Sequence, residues 1–136
     1  MSFIELSEDD RQILLTLARE SIRVRLLFDR DLQIDETVFS HALQQPACSF
    51  VTLKIKQTLR GCIGSTEASR PLVVDVVHHA ASAALDDPRF PPLSLQEEAL
   101  VSIEISVLTE ATPLLFSSED ELLAQLEPGI DGLTIE

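Results

Sequence analysis

Tryptophan and tyrosine are absent from the 136 residues, and aromatic character rests on six phenylalanines. A surface that stacks nucleotide bases on successive rings is therefore hard to assemble. Basic residues are scarce as well: ten Lys and Arg stand against 23 Asp and Glu, a formal charge of -13 that repels nucleic-acid backbones and anionic membranes at long range. The arginines that do cluster, Arg19, Arg23, Arg25 and Arg30, are spread around a predicted helix and read as a solvated face. Two cysteines, Cys48 and Cys62, are too few for a secreted disulfide framework and lack the paired spacing of a zinc site. No apolar run is long enough to span a bilayer, and the acidic stretch Met1 to Asp10 lacks the basic start and small-residue cleavage site of a secretory signal. These absences point to a cytoplasmic protein without nucleic-acid or membrane partners, and with no metal or cofactor.

What is present suffices for one folded unit spanning residues 1–136, because 45% apolar composition at this length supports a single core. Ser7, followed by Asp9 and Asp10, starts a helix, and Leu14, Ala18, Ile22 and Leu26 recur every four residues, predicting an amphipathic helix from Glu8 to Phe28. A second helix is expected over Glu36 to Gln44, burying Val38, Phe39 and Leu43, with Pro46 stopping it. From Ser49 to Lys56 the pattern alternates, which predicts a half-buried strand, and Leu59 to Ile63 would pair with it as an antiparallel hairpin turning at Gln57-Thr58. Pro71 opens a helix with a broad apolar face running to Asp86. The prolines of Asp86-Asp87-Pro88-Arg89-Phe90-Pro91-Pro92 then force a stiff crossing loop. Val101, Ile103, Ile105 and Val107 form the cleanest strand signature, Ser118 to Leu126 reads as a capped helix, and Leu133 to Glu136 begins another strand. Interleaved helices and antiparallel strands make the fold class α+β.

Candidate chemistry concentrates in Leu59-Arg60-Gly61-Cys62-Ile63-Gly64-Ser65, which holds two of the four glycines. A glycine pair within a strand marks a bulge, an unusual φ angle or a close backbone approach, and free N–H groups at such a bend can face an anion. Cys62 is a candidate nucleophile or redox thiol if Arg60 shares its face and favours the thiolate; it is equally readable as a small buried hydrophobe. Cys48 reads as packing. Asp75, His79, Ser82 and Asp86 share one stripe of the predicted helix, so His79 is a candidate catalytic group flanked by carboxylates, or part of a solvated face.

Four ordered blocks carry a resemblance: Phe50-Val51-Thr52-Leu53-Lys54, then Leu59 to Ser65, then Asp86 to Leu93, then Ser102-Ile103-Glu104-Ile105-Ser106-Val107-Leu108. Together the chain resembles the AMMECR domain family, whose bacterial and archaeal members look like protein A of the AmmeMemoRadiSam system. The resemblance implies an α+β fold with a mainly antiparallel sheet flanked by helices, a smaller lobe and a cleft between. It also implies a Memo-like protein and a radical S-adenosylmethionine protein as partners. His79 stands where the family more often has Asn, and family members usually continue some tens of residues beyond the position of Glu136, so the domain is expected to be C-terminally short.

Three functional readings follow. In the first, the protein is an enzyme or enzyme subunit that binds a small anionic ligand through Arg60, Gly61, Gly64, Ser65 and Arg89, with Cys62 and His79 as catalytic residues. In the second, it is a non-catalytic protein-binding or scaffolding module. In the third, Arg60 and Arg89 pair with Asp86, Asp87 or Glu104 and pin the proline loop to the sheet.

Overall fold

A computed structural model describes residues 6–108 and 113–117. The expected helix from Ser118 to Leu126 and the strand at Leu133 to Glu136 lie outside them. The first helix, α1, runs Glu8–Phe28 as expected. Ser7 caps it by accepting from the Asp10 N–H, the Asp10 carboxylate returns the favour to the Ser7 N–H, and Asp29 ends it in the left-handed region. A single helix over Glu36 to Gln44 does not form. A 3-10 turn at Glu36–Val38 is separated from α2, His41–Gln44, because Phe39 and Ser40 are extended and Ser40 caps the new helix through its hydroxyl. Val38, expected inside, is 71% exposed.

Strands β1 (Cys48–Ile55) and β2 (Thr58–Gly64) form the expected hairpin. Its turn sits one residue earlier than expected, at Lys56 and Gln57, which take φ of 52° and 69°. Two successive positive φ angles match the right-handed strand twist, and here two non-glycine residues bear that strain. Helix α3 (Leu72–Leu85) follows, then a short helix α4 (Leu95–Glu98), then β3 (Ser102–Leu108) and β4 (Pro113–Ser117). The sheet is antiparallel throughout, in the order β2-β1-β3-β4, so the fold is α+β.

Helices α1 and α3 pack against each other, and α3 lies on β1 and β2. The inward residues of the strands, Val51, Leu53, Ile103, Ile105 and Val107, are buried together with Leu14, Ile22, Leu72, Val73 and Val76. Ala18, Ala80, Ala83 and Ala84 are also buried and let the backbones approach closely. Arg19, with its side chain 24% exposed, is drawn in from the expected solvated face, whereas Arg23 remains 55% exposed. Both reach the buried Glu98 carboxylate at 3.0 Å, and Arg19 also donates to the Glu98 and Val101 carbonyls, tying α1 to the start of β3. None of the described helices is long and apolar enough to cross a membrane.

Candidate functional site

Leu59 to Gly64 of the block lie in β2, an edge strand among the described residues, and its irregularity has a definite place. Leu53 pairs with Gly61 but Lys54 pairs with Leu59, so Arg60 is the extra residue of a bulge. Neither Gly61 nor Gly64 has a positive φ. Each is required by close approach instead. A Cβ on Gly61 would stand 2.2 Å from the Ala83 carbonyl oxygen of α3, and one on Gly64 would stand 2.1 Å from the Phe50 ring. Gly61 thus faces the helices, and Cys62 and its partner Thr52 face the other side of the sheet.

The two arginines of the expected ligand site are both paired. Arg60 grips Glu97 bidentately, Nε to Oε2 at 3.0 Å and Nη2 to Oε1 at 2.9 Å, with its side chain only 11% exposed. Glu97 was missed as a partner; its signal was the capping pattern Ser94-x-x-Glu97, which places that carboxylate at the start of α4. Arg89 grips Asp87, Nε to Oδ1 at 3.0 Å and Nη2 to Oδ2 at 2.7 Å. Both guanidinium groups approach the Phe90 ring, that of Arg60 at 5.9 Å and that of Arg89 at 5.4 Å from its centroid. The bond from Arg89, then the N–H groups of Arg89 and Cys62, hold the Asp87 carboxyl well below its ordinary range. Arg60 likewise lowers that of Glu97.

The proline loop also closes the sheet edge. Asp87 Oδ2 accepts the Cys62 backbone N–H at 3.0 Å, and Arg89 Nη2 donates to the Cys62 carbonyl at 3.5 Å. One Asp-Arg pair therefore takes the place of a neighbouring strand at this point, which protects an otherwise open edge. Asp87→Ala is expected to speed hydrogen exchange of the Cys62 amide by about tenfold or more, since a bond of about 1.4 kcal/mol is lost. Unchanged exchange at that amide would show that the carboxylate does not guard it.

Cys62 is half-buried, with Sγ 3.2 Å from the Thr52 hydroxyl. His79 is not beside it. That residue lies on the helix side of the sheet, with Nε2 3.3 Å from Asp75 Oδ1, close enough for an ion pair but not aligned as a hydrogen bond; neither ring nitrogen has a hydrogen-bond partner among the described residues. The stripe is not a solvated face, because Asp75 is 2% and His79 6% exposed. Asp75 is the centre of this second cluster. Its carboxylate accepts from the Ser49 N–H at 3.1 Å, the Ser49 hydroxyl at 2.5 Å, Arg70 Nε at 2.7 Å and the Ser65 hydroxyl at 3.4 Å. Burial pushes its pKa up, but the His79 ring, Ser49 and Arg70 together bring it down to about 2. Burial raises the neighbouring Cys48 thiol, helped by the charges of Asp75 and Glu67.

The residues singled out from the sequence therefore divide. Arg60, Cys62 and Arg89 meet at the proline loop, Gly61 and Gly64 are packing positions, and Ser65 and His79 join Asp75 on the far side. Thr52, Phe90, Arg70 and Ser49 carried no sequence signal for these contacts. Among the described residues no group of three His, Cys, Asp or Glu side chains is placed to hold a metal ion.

The profile of the AMMECR1 family matches residues 15–136. A protein of Methanothermobacter thermautotrophicus is 36% identical over 136 residues, 100% of this chain and 70% of its own length. A protein of Thermofilum pendens is 33% identical over 141 residues, 96% of this chain and 66% of its own. The crystal structure of an uncharacterized protein from Pyrococcus horikoshii superposes with a TM-score of 0.71 at 33% identity, covering 76% of this chain and 53% of that one. The chain spans only part of each of these proteins.

Proposed function

From the premise that this chain belongs to the AMMECR1 family, we propose that it is a protein-binding module that docks through the exposed leucines around the Arg60–Glu97 pair, and not an enzyme built on Cys62. The observation that carries this reading is that both guanidinium groups of the block are already matched by carboxylates of the same chain. An anionic ligand would have to displace Glu97 or Asp87, each held in place by its own element at hydrogen-bond distance. The thiol and the imidazole of the catalytic reading also lie on opposite sides of the sheet.

The surroundings suit a protein partner. Leu59, Leu95 and Leu100 are 37%, 50% and 62% exposed, and they flank the Arg60–Glu97 pair along the chain. Exposed apolar side chains beside satisfied charges are the make-up of an interface centre. The Memo-like protein and the radical S-adenosylmethionine protein implied by the family resemblance are the partners to test. The enzyme-subunit reading keeps two favourable observations: the Arg89 side chain is 55% exposed and free to turn toward a small anion, and the buried Arg60 Nη1 has no hydrogen-bond partner among the described residues.

The test mixes the purified chain with each partner in the absence of any added small molecule and follows association by calorimetry. Binding to one of them is expected. No binding to either, together with a metabolite retained by the chain in native mass spectrometry, would overturn the module reading.

A further inference from the structure

A cavity separate from the β2 edge lies between α1, the segment from Asp31 to Glu36 and the outer side of α3, with a volume of about 290 Å³. Arg70, His78, Asp31 and Glu36 supply the charged and polar part of its lining, and Ile34 and Val74 supply apolar surface. Arg70 is held by design of the fold rather than free to wander. Its Nε is clamped on Asp75, which is 2% exposed and is itself fixed by the Ser49 N–H and hydroxyl. That clamp uses one edge of the guanidinium, and its two terminal nitrogens make no other hydrogen bond among the described residues. A planar donor fork anchored at one corner and facing a cavity is suited to a carboxylate. Burial, then the charges of Arg70 and His79, lower the pKa of His78 against the opposing pull of Asp31 and Asp75, which favours its neutral ring and leaves Arg70 as the main cation of the cavity.

The opposite charges are accounted for in the same way. Asp31 meets Arg25 at 3.3 Å but its side chain is 73% exposed, which leaves it open to a second cation. Glu36 forms no ion pair among the described residues. A pocket lined by an oriented cation, available carboxylates and an apolar patch selects against ions of a single sign, because an anion would meet the carboxylates and a cation would meet Arg70.

We propose that this cavity binds a small zwitterion, a molecule carrying both a carboxylate for Arg70 and an ammonium group for Asp31 and Glu36, in the size range of a free amino acid.

The experiment titrates the ¹⁵N-labelled chain with free glycine, leucine, glutamate and lysine, and separately with acetate and methylammonium. At least one amino acid is expected to give saturable shifts at Arg70 Nε and at the amides of Asp31 to Glu36 and Val74 to His78. Its affinity should exceed that of either single-charge probe by about tenfold or more. Glu36→Gln, an exposed change that leaves the Asp75 cluster intact, should weaken that amino acid several-fold, and Arg70→Lys should do so more strongly. If Arg70→Lys does not fold, Glu36→Gln combined with Asp31→Asn carries the same test. Shifts absent with every amino acid, or acetate binding as tightly as the best of them, would overturn the proposal.

Discussion

Gly61→Ala is expected to lower folding stability by about 3 kcal/mol or more, read as a fall in the urea midpoint at unchanged slope. The added methyl would sit 2.2 Å from the Ala83 carbonyl oxygen and 3.1 Å from its carbonyl carbon. The obstacle is the backbone of α3, which cannot rotate aside, so the whole helix must move off β2 or the hairpin must open. Ala83 is itself buried, and truncating a nearby side chain therefore cannot relieve the clash. Gly64→Ala differs in kind, because its methyl would meet the ring of Phe50, a side chain. Adding Phe50→Ala should recover part of what Gly64→Ala loses, a coupling that a double-mutant cycle measures directly. Equal loss at both positions, with no recovery from Phe50→Ala, would contradict this account of the two glycines.

Asp75→Ala is expected to cost about 3 to 5 kcal/mol, in the range measured when one partner of a buried charged cluster is removed. The Ser49 N–H and hydroxyl and the Arg70 Nε would all lose their acceptor, and the first two are buried. A pH signature separates this from simple loss of volume. With its pKa lowered to about 2, the folded carboxylate contributes stability that is fully present above its ordinary value near 4. That contribution, about 2 kcal/mol, fades as pH falls through the window from about 4 to about 2. The native protein should therefore lose stability more steeply than Asp75→Ala over that window. Parallel pH profiles for the two proteins would sink the assignment.

The regular elements were legible because each is written in a local period. Leu14, Ala18, Ile22 and Leu26 announce α1, and Val101, Ile103, Ile105 and Val107 announce β3, since a face that meets the core must repeat with the geometry of its own backbone. The split of α2 was not, because a serine that caps a new helix looks in sequence like one more polar position. The site was readable only as a block. Period and composition mark Leu59 to Ser65, but whether Arg60 and Cys62 share a face depends on an unbroken count in twos, and the bulge at Arg60 breaks that count. The partners that give the arginines and the aspartates their roles lie far along the chain, Glu97 from Arg60, Asp87 from Cys62, Asp75 from Ser49. Nothing local encodes such pairs. The stripe of Asp75 and His79 was visible as a stripe, yet whether it met water or the sheet depended on how α3 is rolled, which only packing decides.

The proposal that the exposed leucines around Arg60 and Glu97 dock a protein and that Cys62 is not its working group is tested most directly by one comparison. The affinity of the chain for the Memo-like or radical S-adenosylmethionine partner is measured by calorimetry for the native protein, for Cys62→Ala and for Leu59→Asp. The account predicts that Cys62→Ala binds as the native chain does and that Leu59→Asp, which puts a charge among the exposed leucines, weakens binding by about tenfold or more. Binding lost with Cys62→Ala but kept with Leu59→Asp would contradict it.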